Sequence, residues 1–294
     1  MRDFSMCYLC SCHLRGCRGE TSLEIRGLSS AKSTFSILPA LRSSDRREER
    51  SRAASFSLLL LAIIHSMSVH SLIYSLLAGI VPSGIWLWFW LREDAKPEPR
   101  SLLGITFLGG ILAVIAAIFV EKYIAGLVDD SALRYTLWAA AEEILKFVAV
   151  AVIALPSYYN DEPIDAMIYC ITAALGFAAL ENGLFLLGPL SGGEIAQSIA
   201  TGNLRFIGAT LVHIVSSAMI GFGLGYTFYR GAFSRIVGVL VGLSAAIALH
   251  AAFNLSIINS DSGEILRSFG WVWGAVIILM VLFEEVKVVR PKLS

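Results

Sequence analysis

The chain has 294 residues, 56% of them hydrophobic, with a mean hydropathy of +0.71 and 23 basic residues balanced by 23 acidic ones. That hydropathy lies well above a soluble domain, so water alone is excluded as the solvent of the fold. Zero net charge gives no basic footprint for nucleic acid, and none is expected as a partner.

Residues 1–54 hold ten basic and six acidic residues among many serines, with no sustained apolar period. Four of the five cysteines (Cys7, Cys10, Cys12 and Cys17) lie here; with only His13 nearby, they read as incidental rather than as a zinc or redox motif. Met67 stands directly before the first long apolar run, so residues 1–66 read as an extension, disordered or added by an upstream start codon. The domain proper is 67–294.

Seven apolar runs follow, at 69–91, 103–127, 134–155, 163–187, 204–228, 235–258 and 269–286. Each approaches or exceeds the roughly 20 residues a bilayer-crossing helix needs. A shorter run at 55–66 would make an eighth crossing. Lipid offers no partner for backbone polar groups, so all the spans must be helical. The predicted fold is therefore an all-α, polytopic transmembrane helix bundle of seven spans, or eight with 55–66, embedded in a lipid bilayer. Short loops carry no further domain, and no internal repeat is visible. With seven spans, one side holds Arg92, Lys96, Arg100, Arg230, Arg235, Lys287, Arg290 and Lys292, and the other only Arg134, Arg205 and Arg267. The positive-inside rule then places the C-terminus in the cytoplasm.

Ionisable groups inside these runs cost at least ~2.5–3.5 kcal/mol each and are functional candidates by default. They are Glu142, Glu143 and Lys146 in span 3, Glu181 with Asn182 in span 4, His213 in span 5, and His250 with Asn254 in span 6. Glu121 lies near the end of span 2 beside Lys122. Adjacent spans alternate in direction, so residue counts from the loops can be compared. At 1.5 Å rise per residue, the four helices set these groups roughly 9–14 Å below one surface, in a common layer. Glu142 and Lys146 are four apart and share a helix face, so the lysine is expected to neutralise Glu142. His250 and Asn254 share a face in the same way, as do Phe177 and Glu181.

Glutamates with two histidines suit hydrolysis. A carboxylate in low dielectric can act as general base on water. Imidazoles can hold Zn²⁺ beside an open water position, or donate hydrogen bonds to an oxyanion. A serine mechanism through Ser216 or Ser217 has weaker support, because no Gly-X-Ser-X-Gly elbow is present. A proton- or ion-coupled transporter is the alternative, since buried Glu, His and Lys also suit proton relays. Transporters of that kind are commonly built from internal repeats, which this chain lacks.

The ordered set Glu142-Glu143-Ile-Leu-Lys146, Gly176-Phe177-Ala-Ala-Leu-Glu181-Asn182, His213 and His250-Ala-Ala-Phe-Asn254 resembles the PrsW family of intramembrane proteases. So does the stretch from Pro82 through Arg92 and Asp94 to Pro97-Glu98-Pro99. The resemblance runs from about 67 to 290. The type II CAAX prenyl endopeptidases are distantly similar, but this chain has Glu181 where that group has His. The resemblance implies an endopeptidase that cuts membrane-anchored proteins, such as anti-sigma factors, at a bacterial plasma membrane. By similarity, Glu142 or Glu143 would activate water. Glu181, His213 and His250 would bind a metal, zinc for instance, or the polarised water, and Asn254 would steady the oxyanion. Lys146, Phe177 and Asn182 would support them.

Overall fold

The computed structural model describes residues 69–94, 96–259 and 265–291. The 1–66 extension, its cysteines and the 55–66 run lie outside the described residues. The described residues from His70 onward form one compact unit.

The described residues are all-helical. The helices are α1 (Val69–Leu91), α2 (Arg100–Ala125), α3 (Ser131–Ile153), α4 (Asp165–Ser191), α5 (Ile195–Leu204), α6 (Thr210–Tyr226), α7 (Ala232–Asn259) and α8 (Ile265–Lys287). A π-helical turn, Arg205–Ala209, joins α5 to α6 without a break. Local chemistry sets several ends. Asp130 caps α3 by accepting the Leu133 N–H at 2.7 Å. Pro99 precedes α2, whose first turn does not need its missing N–H. Gly193, at φ +74°, turns the chain between α4 and α5 in a conformation that other residues rarely adopt.

Six segments are long and apolar enough to cross a membrane, with α5, the π-turn and α6 counting as one of 32 residues. The remaining predicted span, α3, is not among them, because it carries Arg134, Glu142, Glu143 and Lys146. Its 23 residues still reach about 34 Å, enough to cross hydrocarbon. The fifth span begins at Ile195, nine residues before the expected 204. Ser198, Thr201 and Asn203 made that turn-rich stretch read as loop, but a membrane helix satisfies their backbone internally.

The outer helices expose large apolar side chains, among them Leu77, Ile80, Val81, Leu112 and Phe119. In water such a surface would be an aggregation liability; against lipid it is the solvated face. The chain is an integral membrane protein. The centre is α4, in which every residue from Asp165 to Ala179 is buried. It packs on α2, α3 and α6, while α6 packs extensively on α7. At the α6–α7 crossing, a Cβ on Gly223 would lie 2.1 Å from the Gly238 carbonyl oxygen, and one on Gly238 would lie 2.4 Å from the Gly223 oxygen. Two glycines thus let the backbones touch. The antiparallel register set there brings His213 opposite His250.

Candidate active site

Helix α3 turns both glutamates and the lysine inward: Glu142, Glu143 and Lys146 are all buried. The expected Glu142–Lys146 pair does not form. Lys146 Nζ instead lies 2.5 Å from Glu143 Oε1. Residues three apart are helix neighbours as surely as residues four apart. Glu143, fully buried, also accepts from Ser217 Oγ at 2.8 Å and pairs with His250 Nδ1 at 2.8 Å. Three donors on one carboxylate stabilise its ionised form and leave it little capacity to take a proton from water.

The histidines meet edge to face, with ring centroids 5.0 Å apart. Each is held from behind by a carboxylate. His250 Nδ1 faces Glu143, and His213 Nε2 lies 2.9 Å from Glu181 Oε2. A carboxylate only accepts, so those two nitrogens carry hydrogens in the neutral rings. The remaining nitrogens, His213 Nδ1 and His250 Nε2, then present lone pairs. They face Glu142 Oε2 at 4.0 Å and 3.7 Å. That oxygen is buried and has no hydrogen-bond partner. Glu142, His213 and His250 offer ligand atoms that all lie within 4.8 Å of one another. Three electron-pair donors therefore converge on one spot, where Lys146 Nζ donates a hydrogen bond to one of them, His213 Nδ1, at 3.1 Å. Two imidazoles and one carboxylate are a donor set that fits a metal of the zinc type, with outer carboxylates orienting both rings. Glu142, rather than Glu181, shares this group with the histidines.

Glu181 stands one layer out, where Arg205 Nη2 donates to its Oε2 at 2.5 Å. Arg205 Nε also donates to Asn182 Oδ1, and the Asn182 amide donates to Thr210 Oγ1. Phe177 fills the space between Lys146 Nζ, 4.8 Å from its ring centre, and the His213 ring at 5.3 Å. Asn254 sits one turn beyond His250 on the same face, half-buried. Ser217 is committed to Glu143. The Ser216 hydroxyl is buried without a partner and lines a cavity of about 10 Å³ among Val212, Leu249 and Trp271, an apolar setting that does not activate a nucleophile.

Two residues at the site were not among the predicted site residues: Arg205, and Glu121, which was noted in span 2 and set aside. Arg205 was counted as a loop charge but sits in the π-turn, a feature frequent at functional sites. Its signal was an arginine two turns before His213 on the same run. Glu121 is buried too, on the helix that packs against α3.

The family model described as PrsW family intramembrane metalloprotease matches residues 98–283. The chain is 32% identical over 157 residues to Protease PrsW of Geobacillus kaustophilus, covering 52% of this chain and 66% of that protein. It is 26% identical over 213 residues to Protease PrsW of Shouchella clausii, covering 70% and 90%, and 24% identical over 182 residues to that of Bacillus subtilis, covering 60% and 79%. The chain thus spans just under two thirds of the Geobacillus protein and most of the other two. No solved structure matches. A bundle of membrane-crossing helices that buries two histidines against an unpartnered carboxylate agrees with the family match over most of that bundle, and the chain belongs to the PrsW family of intramembrane metalloproteases.

Proposed function

We propose that the chain hydrolyses peptide bonds of membrane-anchored proteins, with Glu142 as the general base. The observation that carries this reading is the orphan Glu142 Oε2 facing two imidazole lone pairs. A metal held by His213 and His250 beside Glu142, zinc being the ion this donor chemistry suits best, would supply Lewis acidity and lower the pKa of water there, leaving Glu142 Oε2 as the base. Glu142 Oε2 takes a proton from the attacking water as the water oxygen bonds to the scissile carbonyl carbon. The Asn254 amide donates a hydrogen bond to the resulting oxyanion. Glu142 then returns the proton to the leaving amine nitrogen as the C–N bond breaks. Glu143 and Glu181 orient the imidazoles, and Lys146 and Arg205 pair with those two carboxylates. We place the protein in a bacterial plasma membrane with its C-terminus in the cytoplasm, from the loop-charge bias.

The test is cleavage of single-span substrates by the full chain purified in detergent. Wild type cleaves, and Glu142→Gln does not. Ion uptake by reconstituted vesicles without any cleavage would instead favour the transporter reading. A chelator such as 1,10-phenanthroline should abolish cleavage and added Zn²⁺ should restore it; cleavage indifferent to chelation overturns the metal assignment.

A further inference from the structure

We propose that Asp94, Glu98 and Asp165 form a second metal site, for a hard divalent cation such as Ca²⁺ or Mg²⁺, which ties the α1–α2 loop to the start of α4. The site does not depend on the protease reading. Asp165 and Glu181 are 16 residues apart on one helix, about 24 Å along its axis, so the two clusters are separate.

The local sequence favours such a site. Asp94 lies three residues past the end of α1, and Pro97 and Pro99 flank Glu98 and stiffen the backbone that presents it. Asp94 and Glu98 are each 8% exposed and Asp165 is 1% exposed. Their ligand oxygens all lie within 4.8 Å of one another. Three carboxylates so close repel unless something positive sits among them. The neighbouring lysines are engaged elsewhere: Lys96 Nζ bonds Glu162, and Lys287 Nζ bonds Glu93 and Glu284.

Counting hydrogen bonds shows what remains. Asp165 Oδ2 accepts the N–H groups of Asp161 and Glu162. Glu98 Oε2 accepts from Tyr169 Oη, and Asp94 Oδ1 accepts the Lys96 N–H. Asp94 Oδ2 is left buried with no partner. In the α3–α4 loop beside Asp165, Asn160 Oδ1 is also buried and unpartnered, while its amide nitrogen bonds the Leu155 carbonyl. Both orphans are oxygen acceptors, so the missing partner is a cation or a proton donor. A buried acceptor left unmet costs about 1–3 kcal/mol, which a bound ion would offset. The donors are all hard oxygens with no imidazole or thiolate, the set that suits Ca²⁺ or Mg²⁺ rather than zinc. Lys96, at the rim, has a side chain 75% exposed, so water and ions reach the edge of the cluster.

The experiment uses the full chain in detergent, stripped with EDTA and titrated with CaCl₂ or MgCl₂. Equilibrium dialysis should give one saturable site per chain, with Kd in the range of about 10⁻⁵–10⁻³ M, and Tm should rise by several degrees at saturation. Asp94→Asn and Glu98→Gln should each weaken binding roughly tenfold or more. Glu142→Gln, which lies in the other cluster, should keep both the binding and the Tm rise. No saturable binding by the wild-type chain up to about 10 mM overturns the proposal, and so does binding that Asp94→Asn and Glu98→Gln leave unchanged. If those two variants fail to fold, the wild-type and Glu142→Gln dialysis still decides. A cluster held together by protons alone shows no cation-dependent Tm and fails the test.

Discussion

Two buried carboxylate groups in this bundle differ in surroundings, and each holds one oxygen with no partner. Around Glu142 the other donors are imidazole nitrogens, each backed by a second carboxylate that is itself paired with Lys146 or Arg205. Around Asp94 the donors are oxygens alone, and the nearby lysines pair outward. The first group sits on helices at mid-span, where bulk solvent is remote and charges need a built-in counterpart. The second joins a loop to the first residue of α4, near an exposed rim where solvent can bring the counterpart. The lesson is that depth decides how much compensation the chain must carry in its own side chains.

The largest effect expected from breaking this comparison is at Glu142. Glu142→Gln should cut the cleavage rate by roughly 10²–10⁴-fold. It should leave Tm unchanged or raised, because the side chain it replaces is unpaired at Oε2. A strong loss of Tm would mean that Glu142 is structural. Its neighbour should behave in the opposite way. Glu143→Gln strands the buried Lys146 ammonium, and a broken buried pair costs about 3–5 kcal/mol, so this variant should melt much earlier or fail to accumulate. Equal melting of the two variants would contradict the division of labour between the adjacent glutamates.

Arg205→Met should lower activity and metal affinity by roughly 10–100-fold, the usual cost of losing an outer-layer partner. Arg205→Lys should recover only part of this, since an ammonium cannot fork between Glu181 and Asn182. Metal content by mass spectrometry and kcat against KM separate this from a folding defect. The smallest effect on catalysis is expected at the loop cluster: Asp94→Asn should change kcat less than about twofold, since it touches no site residue, while removing the Ca²⁺-dependent gain in Tm.

Much of this was legible in the residues. Apolar run length and the need to satisfy backbone groups in lipid set an all-helical bundle and most span boundaries. The shared depth of Glu142, Glu143, Glu181, His213 and His250 followed from alternating helices and a fixed rise per residue. The fifth span was expected to start nine residues too late because its first polar residues resemble a loop, and helices in lipid tolerate them. Pairings between helices were beyond reach. One sequence spacing allowed Lys146 to meet Glu142 or Glu143 equally well; packing against α6 and α7 chose Glu143 by placing Ser217 and His250 beside it.

The order of residues alone determined that this chain crosses a membrane as helices and carries costly polar groups at a shared level, because hydrophobic length and helical rise are local quantities. Only the tertiary structure decided which glutamate keeps a free oxygen, that Arg205 and Glu121 join the site, and that Asp94, Glu98 and Asp165 converge. Those outcomes depend on where separate helices touch. That is set by close crossings such as Gly223 on Gly238, between residues fifteen apart in the chain.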